Sequence, residues 1–167
     1  YLEFNRGELK TAEKEFRQSL EMNPRSVDAL LGLASISLRL GKLEEALMIL
    51  NQTVEINTRL GRVHFLRATV LFRMGDYLQG DLALKRAIEN DPQEPTFLLL
   101  SLRRRLMKGE FDAVEQSLRR LQEKYPLKLE VLQLRASLET ARGDYETAEQ
   151  LLRQARVTYK SPLLDFS

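Results

Sequence analysis

The chain has 167 residues, 43% of them hydrophobic and 30% charged, with a formal net charge of +2. That balance supplies ample side chains for a core, and no apolar run reaches the length of about 18 residues that a membrane span requires. Cysteine is absent, which excludes disulfides, thiolate metal sites and cysteine nucleophiles within these residues.

From the first residues onward, glycine returns every 34 positions, at Gly7, Gly41, Gly75, Gly109 and Gly143. Each is followed by a charged residue and then a large apolar one, as in Gly41-Lys42-Leu43 and Gly143-Asp144-Tyr145. Five places on stand Ala12, Ala46, Gly80, Val114 and Ala148; nine on stand Phe16, Leu50, Leu84, Leu118 and Leu152. Offsets of two, five and nine follow one face of a helix, so a helix follows each glycine. Pro24, Pro92 and Pro126 stand where that helix ends, with Thr58 and Lys160 in the same place of the other units. The helix before each glycine ends there, because glycine takes up the left-handed terminal conformation without steric cost. The spacing therefore predicts helix, tight turn, helix in each unit: ten helical segments, the first truncated, with turns at all five glycines.

A fixed period of this length marks a repeat array. With its 34-residue interval, the Gly-Asp-Tyr turns at Gly75 and Gly143, the small residues Ala34, Ala68 and Ala136 ahead of the turns, and the terminal prolines, the chain resembles the tetratricopeptide repeat family. The resemblance implies an all-α, right-handed superhelical solenoid. Its units run 1–26, 27–60, 61–94, 95–128 and 129–162, read as one domain over 1–162, and 163–167 form a tail or the start of a further helix. The fourth unit departs most, with Leu102, Val114 and Leu121 at places where small residues are usual. A chain that opens at Tyr1 inside a helix reads as a piece of a longer array, and Leu163, Leu164 and Phe166 either begin a sixth unit or cap the fifth.

In that family the first helices of successive units line a concave groove that binds a peptide or a helix. The corresponding positions here are Leu31, Phe65 and Leu99 in one row and Leu38, Phe72 and Leu106 in another, a helical spacing of seven apart on one face. Ser35, Thr69 and Arg103 lie between the rows, with Arg39, Arg73 and Met107 at the margin; in the fifth unit the rows break at Gln133 and Thr140. The alternative use of these apolar side chains is packing against neighbouring helices, since the first helices are apolar on several faces. Phe65 and Phe72 are the expected centre of the groove, and Arg39 and Arg73 are expected to orient a ligand that combines apolar with acidic side chains. The family's carboxylate clamp of lysines and asparagines has no counterpart at these places.

Charge is uneven along the array. The fourth unit holds eight basic side chains (Arg103, Arg104, Arg105, Lys108, Arg119, Arg120, Lys124, Lys128) against four acidic ones. That excess is either a dock for an acidic or phosphorylated partner or a solvated helix face partly balanced by Glu115 and Glu123. Nucleic acid is not expected, because the other units are near neutral and no basic-aromatic stacking motif is present. His64, the only histidine, stands where other units have Leu30, Leu98 and Leu132, so it reads as a packing residue and not as a catalytic or metal-binding one. Asp76 and Asp144 read as helix caps. The expectation is a scaffold without catalytic residues, metal or cofactor that binds a protein or peptide ligand. Three other uses share the same sequence features: self-association, a regulatory appendage of an enzyme, and an envelope-assembly part of a larger bacterial secretion or polysaccharide-export protein. A compartment, cytoplasmic or periplasmic, is not legible in these residues.

Overall fold

The computed structural model describes residues 2–126 and 128–160, so the tail residues Leu163, Leu164 and Phe166 lie outside the described residues. Among them are nine α-helices and no strand: α1 (Leu2–Met22), α2 (Val27–Arg39), α3 (Leu43–Ile56), α4 (Gly61–Met74), α5 (Tyr77–Asn90), α6 (Pro95–Met107), α7 (Phe111–Lys124), α8 (Leu129–Arg142) and α9 (Tyr145–Lys160). This is an all-α helical repeat fold. It divides into two compact units, Tyr1–Glu94 and Pro95–Ser167.

Local chemistry sets the helix ends. Gly41, Gly75, Gly109 and Gly143 all take positive φ, between +77° and +87°. At Gly75 the left-handed residue lets Asp76 N–H reach back to the Leu71 carbonyl at 2.9 Å, which satisfies a carbonyl that the helix end would otherwise orphan. The next helix starts at once: Asp76 Oδ1 accepts from Gln79 N–H at 3.1 Å, and Asp144 Oδ1 accepts from Thr147 N–H at 3.0 Å, the caps read from the sequence. Where the unit ends in Thr58 instead of proline, α3 still stops at Ile56, because Asn57 turns the backbone out and its Oδ1 accepts from Arg59 N–H at 3.0 Å.

Gly7 corrects the expected pattern. It lies inside the continuous helix α1, so there are nine described helices where ten segments were expected, and no turn forms there. A glycine permits the left-handed turn but does not compel it. Running through Gly7 keeps every backbone bond of α1 intact.

Within Tyr1–Glu94, α1 packs on α2, α2 on α3, α3 on α4 and α4 on α5, with α2 also touching α4. Its core is built on Leu30, Leu31, Leu33, Ala34, Ala46, Ile49, Leu50, Val63 and Val70. Within Pro95–Ser167, α6 packs on α7, α7 on α8 and α8 on α9, with α6 also touching α8. Here Leu99, Leu102, Val114, Leu118, Leu121, Val131, Leu134 and Leu138 form the core. The larger residues that set the fourth repeat apart are thus fully used: Leu102, Val114 and Leu121 are all buried.

Side-chain sizes across the turn compensate one another. A Cβ built on Gly80 would stand 2.4 Å from the Phe72 ring, so the aromatic ring of α4 rests on the bare backbone of α5. The same two register positions hold Leu38 with Ala46 and Leu106 with Val114. Gly80→Ala would gain about 1 kcal/mol of helix propensity, but the ring must move, and overpacking costs about 1–3 kcal/mol. Thermal unfolding should show Gly80→Ala less stable than the parent, and adding Phe72→Leu should recover part of the loss by recreating the Leu/Ala pair. A Gly80→Ala variant that melts higher would mean that the ring swings out freely.

His64 is 2% exposed. Its Nε2 lies 2.8 Å from the Thr58 carbonyl, an acceptor only, so Nε2 carries the proton and donates. The ring takes the volume of a leucine and ties the α3–α4 turn to α4, a packing role with one hydrogen bond.

Candidate partner-binding site

The expected groove positions separate into core and surface. Leu31 and Leu99 are 5% and 4% exposed and belong to the two cores. They therefore do not line an open surface, a correction that follows from the extra apolar face of α2 and α6. Leu38, Phe65, Phe72 and Leu106 are half-buried, while Arg39, Arg73 and Arg103 are exposed. Phe72 is committed in part to Gly80. Arg73 is committed as well: its Nη1 donates to the Leu38 carbonyl at 2.6 Å, placing a cation on the C-terminal end of α2, where the helix dipole favours it.

Hydroxyls on the same faces point their protons inward. Ser35 Oγ donates to the Leu31 carbonyl at 2.7 Å and Thr69 Oγ1 to the Phe65 carbonyl at 3.0 Å. In α8, Ser137 Oγ donates to the Gln133 carbonyl at 2.9 Å and Thr140 Oγ1 to the Ala136 carbonyl at 2.8 Å. With the donor spent on the preceding turn, each hydroxyl offers only acceptor lone pairs to anything that docks.

An open groove of about 630 Å³ lies within the second unit, lined by Arg103, Leu106 and Met107 of α6, Gln133, Leu134, Ala136, Ser137 and Thr140 of α8, and Leu152 of α9. Three of the expected residues, Arg103, Leu106 and Met107, meet here. The others were missed, because Gln133 and Thr140 read as breaks in the apolar rows. The signal was present all the same: a row that loses its large apolar side chains beside a small Ala136 leaves room between helices. Met107 is 76% exposed and Leu152 49%, so the groove has an apolar floor and walls that carry hydrogen-bonding groups.

The basic excess of the fourth repeat is mostly spent internally. Arg105 pairs with Glu110 at 3.3 Å and Arg119 with Glu115 at 2.7 Å. Lys124 and Lys128 lie over the Tyr125 ring, 5.4 and 5.8 Å from its centre. Arg104 and Lys108 are engaged as well. Arg103 and Arg120 make no ion pair among the described residues, and Arg103 is the one at the groove.

Glu115 organises the strongest polar network. Its Oε1 accepts from Arg119 at 2.7 Å and Arg135 at 2.8 Å, and its Oε2 from Arg142 at 2.8 Å. Arg135 also lies 2.7 Å from Glu139 Oε1, an ion pair without hydrogen-bond alignment. Burial pushes the Glu115 carboxyl up, but the hydrogen bonds from Arg135 and Arg119, the charge of Arg135 and the bond from Arg142 outweigh it and hold the pKa down at about 2. This network ties α7 to α8 and so fixes the helix that carries Gln133, Ser137 and Thr140.

Residues 4–69 match a family model described as tetratricopeptide repeat. The fold is shared with a thermophilic tetratricopeptide repeat protein of Thermus thermophilus, at 23% identity over 95% of this chain and 87% of that one, with a TM-score of 0.77. It is shared with a chain of the APC/C hetero-tetramer Cut9-Hcn1, at 15% identity over 94% of this chain and 30% of that one, with a TM-score of 0.84. It is also shared with YrrB, described as a tetratricopeptide repeat protein with an unusual peptide-binding site, at 16% identity over 96% of this chain and 82% of that one, with a TM-score of 0.65. No curated protein is significantly similar in sequence. The family match lies within residues 4–69, and the chain as a whole shares the helical-repeat fold of these tetratricopeptide repeat proteins. Tetratricopeptide repeat proteins are generally non-catalytic interaction scaffolds; in this chain no described helix is long and apolar enough to cross a membrane.

Proposed function

We propose that this tetratricopeptide-repeat chain is a non-catalytic scaffold that holds a peptide or helix of a partner protein in the α6–α8 groove. The observation that carries the reading is the groove itself: exposed Met107 and Leu152, an Arg103 without an ion pair among the described residues, and acceptor groups from Ser137 and Thr140. Apolar anchors buried in such a cleft supply most of the binding energy, and Arg103 favours an acidic group on the ligand. Backbone N–H groups of an extended ligand suit the acceptors. The peptide-binding site named for YrrB and the hetero-tetramer named for Cut9-Hcn1 are in line with a protein partner. In the first unit, Leu38, Arg39, Phe65 and Thr69 remain at a first-helix surface and add contacts for the same class of ligand.

A panel of short peptides with alternating apolar and acidic residues, labelled for anisotropy, provides the test. Binders should shift NMR signals of α6, α8 and α9, and Met107→Ser combined with Leu152→Ser should weaken them by about tenfold or more. Arg103→Ala should weaken acidic peptides selectively and flatten their salt dependence. Shifts confined to other helices, or binding indifferent to all three substitutions, would overturn the assignment.

A further inference from the structure

A second surface, of opposite charge, lies on α3. Its buried stripe is Ala46, Ile49, Leu50 and Thr53; the face these do not use carries Glu44, Met48, Asn51 and Glu55, a single line at helical spacing. With Leu47 and Met74 they line an open groove of about 480 Å³. Met48 is 67% exposed and Met74 41%. The fold does not require an apolar residue at the register of Met48, since Lys14, Gln116 and Gln150 occupy it in three of the other four units, with Leu82 in the remaining one. Glu45 is spent on Lys42 at 3.2 Å, whereas Glu44 and Glu55 have no ion pair among the described residues. Eleven residues apart in α3 (55 − 44), they stand about 16 Å from each other along the axis.

We propose that this face of α3 docks an amphipathic helix of a partner protein whose basic side chains, about three turns apart, flank an apolar stretch. Charge complementarity selects that occupant. The two carboxylates bracket flexible, polarisable methionines, and methionine surfaces adapt readily to the side chains of a docking helix. Lysines or arginines of the ligand reach Glu44 and Glu55 at the two ends of the groove while its leucines or methionines cover Met48, Met74 and Leu47. The ligand of the α6–α8 groove is acidic and that of α3 basic, so the two surfaces take different segments.

The probe is a synthetic helical peptide of roughly 18 residues, with lysines three turns apart on either side of leucines, titrated against the whole chain. Saturable binding is expected, weakened about tenfold or more by Glu44→Gln with Glu55→Gln, and again by Met48→Ser. These residues are exposed, so circular dichroism should show the variants folded. Arg103→Ala, in the other groove, should leave binding unchanged. Equal binding of a peptide with glutamates in place of the lysines, or unchanged binding by the Gln variants, would overturn the proposal. So would a salt-sensitive dimer in sedimentation that the Gln variants abolish, because the occupant would then be a second copy of this chain.

Discussion

Leu50→Ala and Leu118→Ala should each lower the unfolding free energy by about 2–5 kcal/mol, whereas Leu152→Ala should cost less than about 1 kcal/mol. All three stand nine residues after a marker glycine, and on sequence grounds they are equivalent. The structure separates them: Leu50 and Leu118 are fully buried, and Leu152 is 49% exposed. Truncating the first two removes apolar contacts and leaves a cavity in a close-packed core. Leu152 is only half covered and already faces the groove. Because Leu50 belongs to the Tyr1–Glu94 core and Leu118 to the Pro95–Ser167 core, amide hydrogen exchange adds a second readout. Leu50→Ala should first lose protection in α2–α4, and Leu118→Ala in α6–α8. Equal losses for all three substitutions in urea unfolding would show that register alone governs burial.

The period of the array told where the chain turns but not how deep each side chain sits. Four glycines, two aspartate caps and the helix stops at Met22, Asn90 and Lys124 follow from backbone chemistry that is local in sequence, so they were readable. Gly7 was not, since glycine permits a left-handed turn without compelling one, and α1 runs through it. Burial is decided by the neighbouring helix: Leu31 and Phe65 share a register position, yet one is in the core and the other half-buried. The groove was half legible for the same reason. Arg103 and Leu106 were found by position, while Gln133, Ser137 and Thr140 line it because their neighbours are small enough to leave space. Arg73 shows a third kind of gap: a long side chain can be recruited by a carbonyl 35 positions away, which no repeat pattern announces.

Long-range ion pairs are the extreme case, and they carry the last expected effect. Arg135→Met should destabilise the second unit by about 2–4 kcal/mol, below the top of the range for breaking a buried pair because Glu115 keeps two other partners. Side-chain exposures of 12% at Glu115, 8% at Glu139 and 21% at Arg135 put the network mostly out of water. Methionine preserves the stem that Arg135 packs but leaves Glu139 without its cation. The pH dependence follows from linkage. Glu115 titrates at about 2 in the folded chain, below the value of about 4.3 expected when unfolded. A depressed folded pKa adds stability that is fully present above the unfolded value and is lost as pH falls from about 5 towards 2, some 2–3 kcal/mol for this group. Urea unfolding at a series of pH values should show that loss in the parent and a smaller one in Arg135→Met, whose Glu115 has less charge to hold it ionised. An identical acid profile in both would mean that Arg119 and Arg142 alone set the Glu115 titration, and that Arg135 serves α8 only through Glu139.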